Sequence, residues 1–135
     1  MIDISEIRQA FKQRLGESGI IPAGSTEYEN RDFEPTGKAF WVRENYTPAF
    51  ENRVTSQGDN LGGVFSYTVF TPIGTADTLA VSKGVAIGNL WQTSEVIETA
   101  NYKTSIVSTS CGFQGTFDDV WYQYKVDIQI RAFEK

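Results

Sequence analysis

The sequence predicts an α+β fold: a mainly antiparallel four-stranded sheet with two helices packed on one face, in the order helix, strand, strand, helix, strand, strand. Three observations carry this expectation. Val120, Tyr122, Tyr124, Val126, Ile128, Ile130 and Ala132 are apolar, and Gln123, Lys125, Asp127, Gln129 and Arg131 between them are polar. Period two over that length marks a strand with one buried and one wet face. Ile4, Ile7, Phe11 and Leu15 instead recur at three- and four-residue steps, which is a helical stripe. Finally, 135 residues is the size of one domain that can fold without a metal or disulfide, so residues 1–135 read as a single domain.

The first helix is expected over residues 4–15. Asp3 can cap it, Glu6 stands at the spacing of a reciprocal capping box, Arg8, Lys12 and Arg14 lie toward its negative end, and Gly16 suits a left-handed stop. Residues 17–38 contain Gly19, Pro22, Gly24, Pro35 and Gly37 with little periodicity. They read as a long loop that touches the core through Ile20, Ile21, Tyr28 and Phe33. Residues 39–47 are aromatic and β-branched and form the first strand, which ends before Pro48 because proline cannot donate to a ladder. Residues 47–62, with Gly58, Asp59, Asn60 and Gly62 at their end, read as a wide excursion.

Residues 63–71 are the second strand, apolar on both faces and therefore central, stopped by Pro72-Ile73-Gly74. Thr75 can cap a second helix running to about Trp91, with Asp77 in its first turn. Ala76, Ala80, Gly84 and Gly88 lie four apart along it and form a strip of small residues. An interior glycine costs about 1 kcal/mol relative to alanine, so a close neighbour is expected on that strip. The protein's own sheet is the favoured neighbour over a helix of another subunit. Residues 102–110 are the third strand and residues 111–119 its connection to the last.

Composition restricts the chemistry. The chain has no histidine, one cysteine, 17 acids against 12 bases and a net charge of −5. The commonest general base and metal ligand are therefore missing, and the charge opposes a surface built to hold phosphates. Cys111 alone cannot form an intramolecular bridge, has no basic neighbour to activate it and reads as an inert thiol. The first residues carry an acid where a signal peptide would be basic, and no apolar run approaches spanning length, so a cytoplasmic protein without membrane contact is expected.

Glu27, Glu29, Asp32 and Glu34 crowd one loop and could hold a hard cation through oxygen ligands. They lack the glycine-turned ligand order of a calcium loop, so the cluster reads as a solvated loop with internal ion pairs. Asp118-Asp119 reads as a turn. Pro72-Ile73-Gly74-Thr75 lacks the further glycines and the lysine of a phosphate loop. Trp121, Tyr122, Tyr124 and Lys125 could suggest base stacking, but alternation sends both tyrosines to the core. No catalytic residue, cofactor or metal is expected.

What remains is the polar face of the last strand, together with the excursions at 48–62 and 92–101 and the Phe50, Arg53 and Trp91 in or beside them. The candidate contact residues are Arg43, Phe50, Arg53, Asp59, Gln123, Lys125, Asp127, Gln129 and Arg131.

With these segments in place, the chain resembles the tail terminator or tail-completion proteins of tailed bacteriophages. The resemblance lies in the order of short motifs. Tyr28-Glu29-Asn30 through Phe33-Glu34-Pro35 leads into Phe40-Trp41-Val42-Arg43. Gly62-Gly63-Val64 through Val69-Phe70 leads into Pro72-Ile73-Gly74-Thr75, and Trp121-Tyr122-Gln123 opens the last strand. Thr75-Ala76 stands where many relatives have a second glycine, and residues 92–118 match nothing in the family pattern.

The resemblance implies a small α+β subunit that forms a ring of six on the head-proximal end of the tail tube. That ring would stop tube polymerisation and offer a surface to the head-tail connector or stopper protein, catalysing nothing. The implied partners are other copies of itself, the tube protein, the connector, and DNA that passes through a channel without specific binding. The implied place is the virion tail, assembled in the host cytoplasm, and the nine contact residues would face a neighbouring subunit or the tube. Two rival readings are a head-completion or adaptor ring protein, and a metal-dependent carboxylate hydrolase built on the 27–34 cluster.

Overall fold

A computed structural model describes residues 2–28, 33–54, 58–74 and 78–135, with the side chains of residues 52–54 and 58 left aside. The sheet has six strands, not four; it is mixed and curled, and the order along the chain is helix, three strands, helix, three strands rather than the expected helix, two strands, helix, two strands. The elements are α1 (Ile4–Glu17), β1 (Thr26–Glu27), β2 (Trp41–Val54), β3 (Gly58–Pro72), α2 (Thr78–Gly88), β4 (Val96–Glu98), β5 (Tyr102–Phe117) and β6 (Trp121–Glu134). Across the sheet the strands run β1-β2-β3-β6-β5-β4. β1 lies parallel to β2, and the other four pairings are antiparallel.

The expected four strands are the long central ones, and both additions sit at the edges. β1 has two residues and β4 three, too short for any alternation to show in sequence. Pro48 fails to end β2 because β1 covers that strand only at Val42 and Arg43. Beyond them β2 is an edge strand, where a missing N–H breaks no ladder, and an irregularity between Pro48 and Phe50 absorbs the proline. The expected excursion is therefore a long β2–β3 ribbon.

β5 likewise runs through the expected connection at 111–119, shifting register between Ile106 and Ser108 and between Phe113 and Gly115. The connection shrinks to a tight turn. Asp118 and Asp119 both take φ of 54°, and the Val120 N–H donates to the Phe117 carbonyl at 3.1 Å. Paired positive φ values suit a hairpin turn, and aspartate tolerates them better than most residues.

Asp3 caps α1 by accepting the Ser5 N–H at 3.0 Å. Glu6 does not close the capping box. Its carboxylate reaches across to the Thr99 hydroxyl, and it accepts from the Asn101 backbone N–H at 3.1 Å and side-chain amide at 2.8 Å. Gly16 lies inside the helix; Ser18 is the C-cap, and Gly19 at φ 71° takes the left-handed turn. α2 ends at Gly88, short of Trp91, and the expected cap at Thr75 and Asp77 lies outside the described residues.

Both helices pack on the same face. Ile7, Phe11 and Leu15 of α1 share one core with Ala80 and Ile87 of α2, Phe65, Tyr67 and Val69 of β3, and Val126, Ile128 and Ile130 of β6. Phe11 stacks on Phe65 with centroids 4.2 Å apart and on Trp91 at 5.1 Å. Trp91 is 1% exposed, so it is core and not contact surface. Burying a large apolar side chain contributes about 1.5–3 kcal/mol, which makes this cluster the main stabilising unit.

Candidate assembly surface

The strand face turned away from the helices carries the predicted stripe, and the structure gives it an organisation that β6 alone does not reveal. Its middle is polar. The Ser66 hydroxyl donates to Asp127 at 2.6 Å, Lys125 stands 3.6 Å from the same carboxylate, and Ser108 Oγ lies 3.2 Å from the Gln129 side-chain oxygen. Gln123, Lys125 and Asp127 are half-buried, whereas Gln129 and Arg131 are exposed.

Each end of the face carries an arginine set against aromatic rings. Arg43 lies 5.5 Å from the Trp41 ring, 5.0 Å from Phe70 and 5.1 Å from Phe117, and it pairs with Glu27 at 3.4 Å. Trp41 in turn stacks on Phe70 at 3.9 Å and meets Trp121 edge-on at 5.8 Å. At the other end Arg131 lies 5.8 Å from Phe50 and 5.2 Å from Phe133, both of which are exposed. A guanidinium over such faces contributes about 0.5–2 kcal/mol, more as water is excluded.

Two glycines permit this arrangement. A Cβ on Gly62 would lie 2.4 Å from the Phe50 ring, and one on Gly63 would lie 2.3 Å from the Tyr46 hydroxyl. Adjacent residues of a strand point to opposite faces, so the pair lets one β2 aromatic cross β3 outside and another inside.

Among the other predicted contact residues, Asp59 is buried at 5% exposure and pairs in register with Arg53, whose side chain lies outside the described residues. Sequence reading missed Trp41, Phe70 and Phe117 as parts of this face. They come from three strands, and only pairing register brings them together.

The two described acids of the loop make separate contacts. Glu27 pairs with Arg43, and Glu34 accepts the Thr36 N–H at 2.9 Å; the Thr36 side chain first, and this N–H after it, lower the Glu34 pKa. Glu29 and Asp32 lie outside the described residues, among which no group of three metal-ligating side chains forms. Cys111 is exposed; the Tyr124 hydroxyl donates to its sulfur at 3.1 Å, and that bond raises the tyrosine pKa. No helix among the described residues is long and apolar enough to cross a membrane.

The fold and this face define a small sheet protein whose most elaborated feature is a strand surface, the equipment of an assembly component. A family model described as phage tail terminator protein matches residues 6–130, and the chain belongs to that family. Membership gives it a structural role related to the phage tail. A solved structure matches 100% of this chain and 97% of its own length, with a TM-score of 0.72 and 22% identity, which establishes the fold alone. No curated protein matches the sequence.

Proposed function

We propose that this protein forms a ring of six subunits on the head-proximal end of the tail tube, ends polymerisation there and presents the joining surface for the head connector or stopper. The observation that carries the reading is the family match over residues 6–130. The Arg131 end of the outer face supports it, because an arginine beside the exposed Phe50 and Phe133 rings is of the kind enriched where proteins bind one another, whereas Trp41 and Phe70 at the Arg43 end are buried. Assembly takes place in the host cytoplasm, and the mature protein stays in the virion tail.

The net charge of −5 suits a channel wall. Like charge repels the genome and lets it slide without specific binding. The test is to add the purified protein to polymerising tube subunits, with a portal complex as the alternative bait. Arrest of elongation and capture by tube ends are expected. Capture by the portal with undiminished tube growth would instead mark a head-completion protein.

A further inference from the structure

Both outer strands of the sheet are covered along only part of their length. β4 pairs with β5 from Lys103 to Ser105, and Ile106 exchanges backbone hydrogen bonds with Ser94 and Glu95 at 2.8 and 2.9 Å. Past Ile106, no strand among the described residues pairs with the outer side of β5. β1 likewise covers β2 at Val42 and Arg43, and no described strand pairs with its outer side from Thr47 to Val54.

The free stretch of β5 is unguarded. Natural edge strands are normally protected by charges or proline, because unpaired N–H and C=O groups invite another strand. Residues 104–117 contain no Asp, Glu, Lys, Arg or Pro. Val107 and Phe113 are exposed on this stretch at 44% and 57%, and Phe50 on the free stretch of β2 at 41%.

The β2 stretch does carry Pro48, Glu51 and Arg53, so a strand added there loses one donor at Pro48, but the two stretches are complementary in place and direction. Through β6, Ser108 to Phe117 of β5 lies level with Val64 to Pro72 of β3. Thr47 to Val54 of β2 lies level with Val64 to Gly58. The free stretches thus occupy opposite halves of the sheet on opposite sides, and successive antiparallel pairings make β2 and β5 run in opposite directions. Sliding a second copy along the strands sets its free β2 beside the free β5 of the first, with β1 and β4 clear of each other.

We infer that β5 of one subunit pairs antiparallel with β2 of the next, so that the ring is held by one sheet continued from copy to copy. The inference rests on the ring proposed above. Two different edges meeting head to tail make a heterologous contact, which generates a ring when the rotation closes. The required slide is the stagger that any closed sheet must have, since strands of a closed sheet tilt against its axis. A β5–β5 contact would instead be two-fold and would stop at a dimer.

Cys111 is the sole cysteine and lies exposed on the unguarded edge, so it serves as the probe. Cys111 shares the helix-side face with Val126, and on the free part of β2 Pro48 and Glu51 are exposed on that same face, so Pro48→Cys and Glu51→Cys each place a second thiol where it can meet Cys111. Tails assembled with either variant are treated with a mild thiol oxidant, run on non-reducing gels and mapped by mass spectrometry. A disulfide needs Cα atoms within about 7 Å, so a link reports adjacent strands.

The expected result is a ladder of covalent multimers joined between position 111 and position 48 or 51. Cys111–Cys111 dimers alone would overturn the inference. Tail-bound multimers with no link from Cys111 to either β2 position would overturn the edge pairing and leave the ring standing. Tails carrying no multimer of this chain would remove the ring and the edge pairing with it.

Discussion

Gly84 shows how much one residue decides here. A Cβ on it would lie 2.3 Å from the Tyr124 ring, whereas one on Gly88 would meet only Val126 at 3.4 Å. Gly84→Ala is therefore expected to destabilise by about 1–2 kcal/mol through overpacking. Gly88→Ala should be neutral or stabilise by up to about 1 kcal/mol through helix propensity. Urea unfolding of the two variants checks the contrast, and equal behaviour would count against the close approach. The four-residue spacing of small residues made this contact legible in advance, and β6 alternation supplied its partner. Nothing local announced why Gly62 and Gly63 are glycines, because Phe50 and Tyr46 reach them only through strand pairing.

A buried acid sets a second residue-scale test. Glu44 is fully buried, 3.8 Å from Arg8 of α1. Burial, with a further push from this carboxylate, raises the Tyr67 phenol well above its ordinary range. Removing the guanidinium would take a countercharge away from a buried acid. Arg8→Ala is expected to cost about 3 kcal/mol in chemical denaturation, and a loss below a few tenths would show that Arg8 does not hold Glu44.

At the scale of elements, α1 is tied to the segment around β4 by two carboxylates. Glu6 is held below its ordinary pKa of 4.5 chiefly by hydrogen bonds from the Thr99 hydroxyl and the Asn101 side chain. Glu95 is lowered likewise, first by its hydrogen bond from Arg14, whose guanidinium also donates to the Leu90 carbonyl at 2.8 Å. Both groups bind protons more weakly when folded. Their contribution is thus fully present above pH 4.5 and fades as pH falls through the lower folded values. Unfolding temperature should drop more steeply on acidification below pH 4.5 for the native protein than for a Glu6→Gln, Glu95→Gln double variant. Parallel pH curves would disconnect these carboxylates from stability.

The long elements themselves were largely legible. α1, the central position of β3 and the inward face of β6 follow from apolar periodicity, and the structure keeps all three. The misreadings share one cause. Pro48, Gly112 and Gly115 look like strand breakers in a linear reading, yet here an edge position or a register shift accommodates each. Glu6 was misread for a related reason: Thr99 and Asn101 are distant in sequence, and tertiary partners outcompeted the local box.

For the whole molecule, the sequence foreshadowed the family and the location of a polar strand face, but not the width of the sheet or its free edges. Two- and three-residue strands carry no periodic signal, so the partial covering of β2 and β5 emerges only from pairing. The same holds for the arginine and aromatic clusters that close the outer face at both ends. If the protein caps the tube, it should set where a tail stops. Electron microscopy of tails made with and without it tests that most directly. Overlong or irregular tails that fail to join heads are expected in its absence, and tails of normal, uniform length would contradict a terminating role.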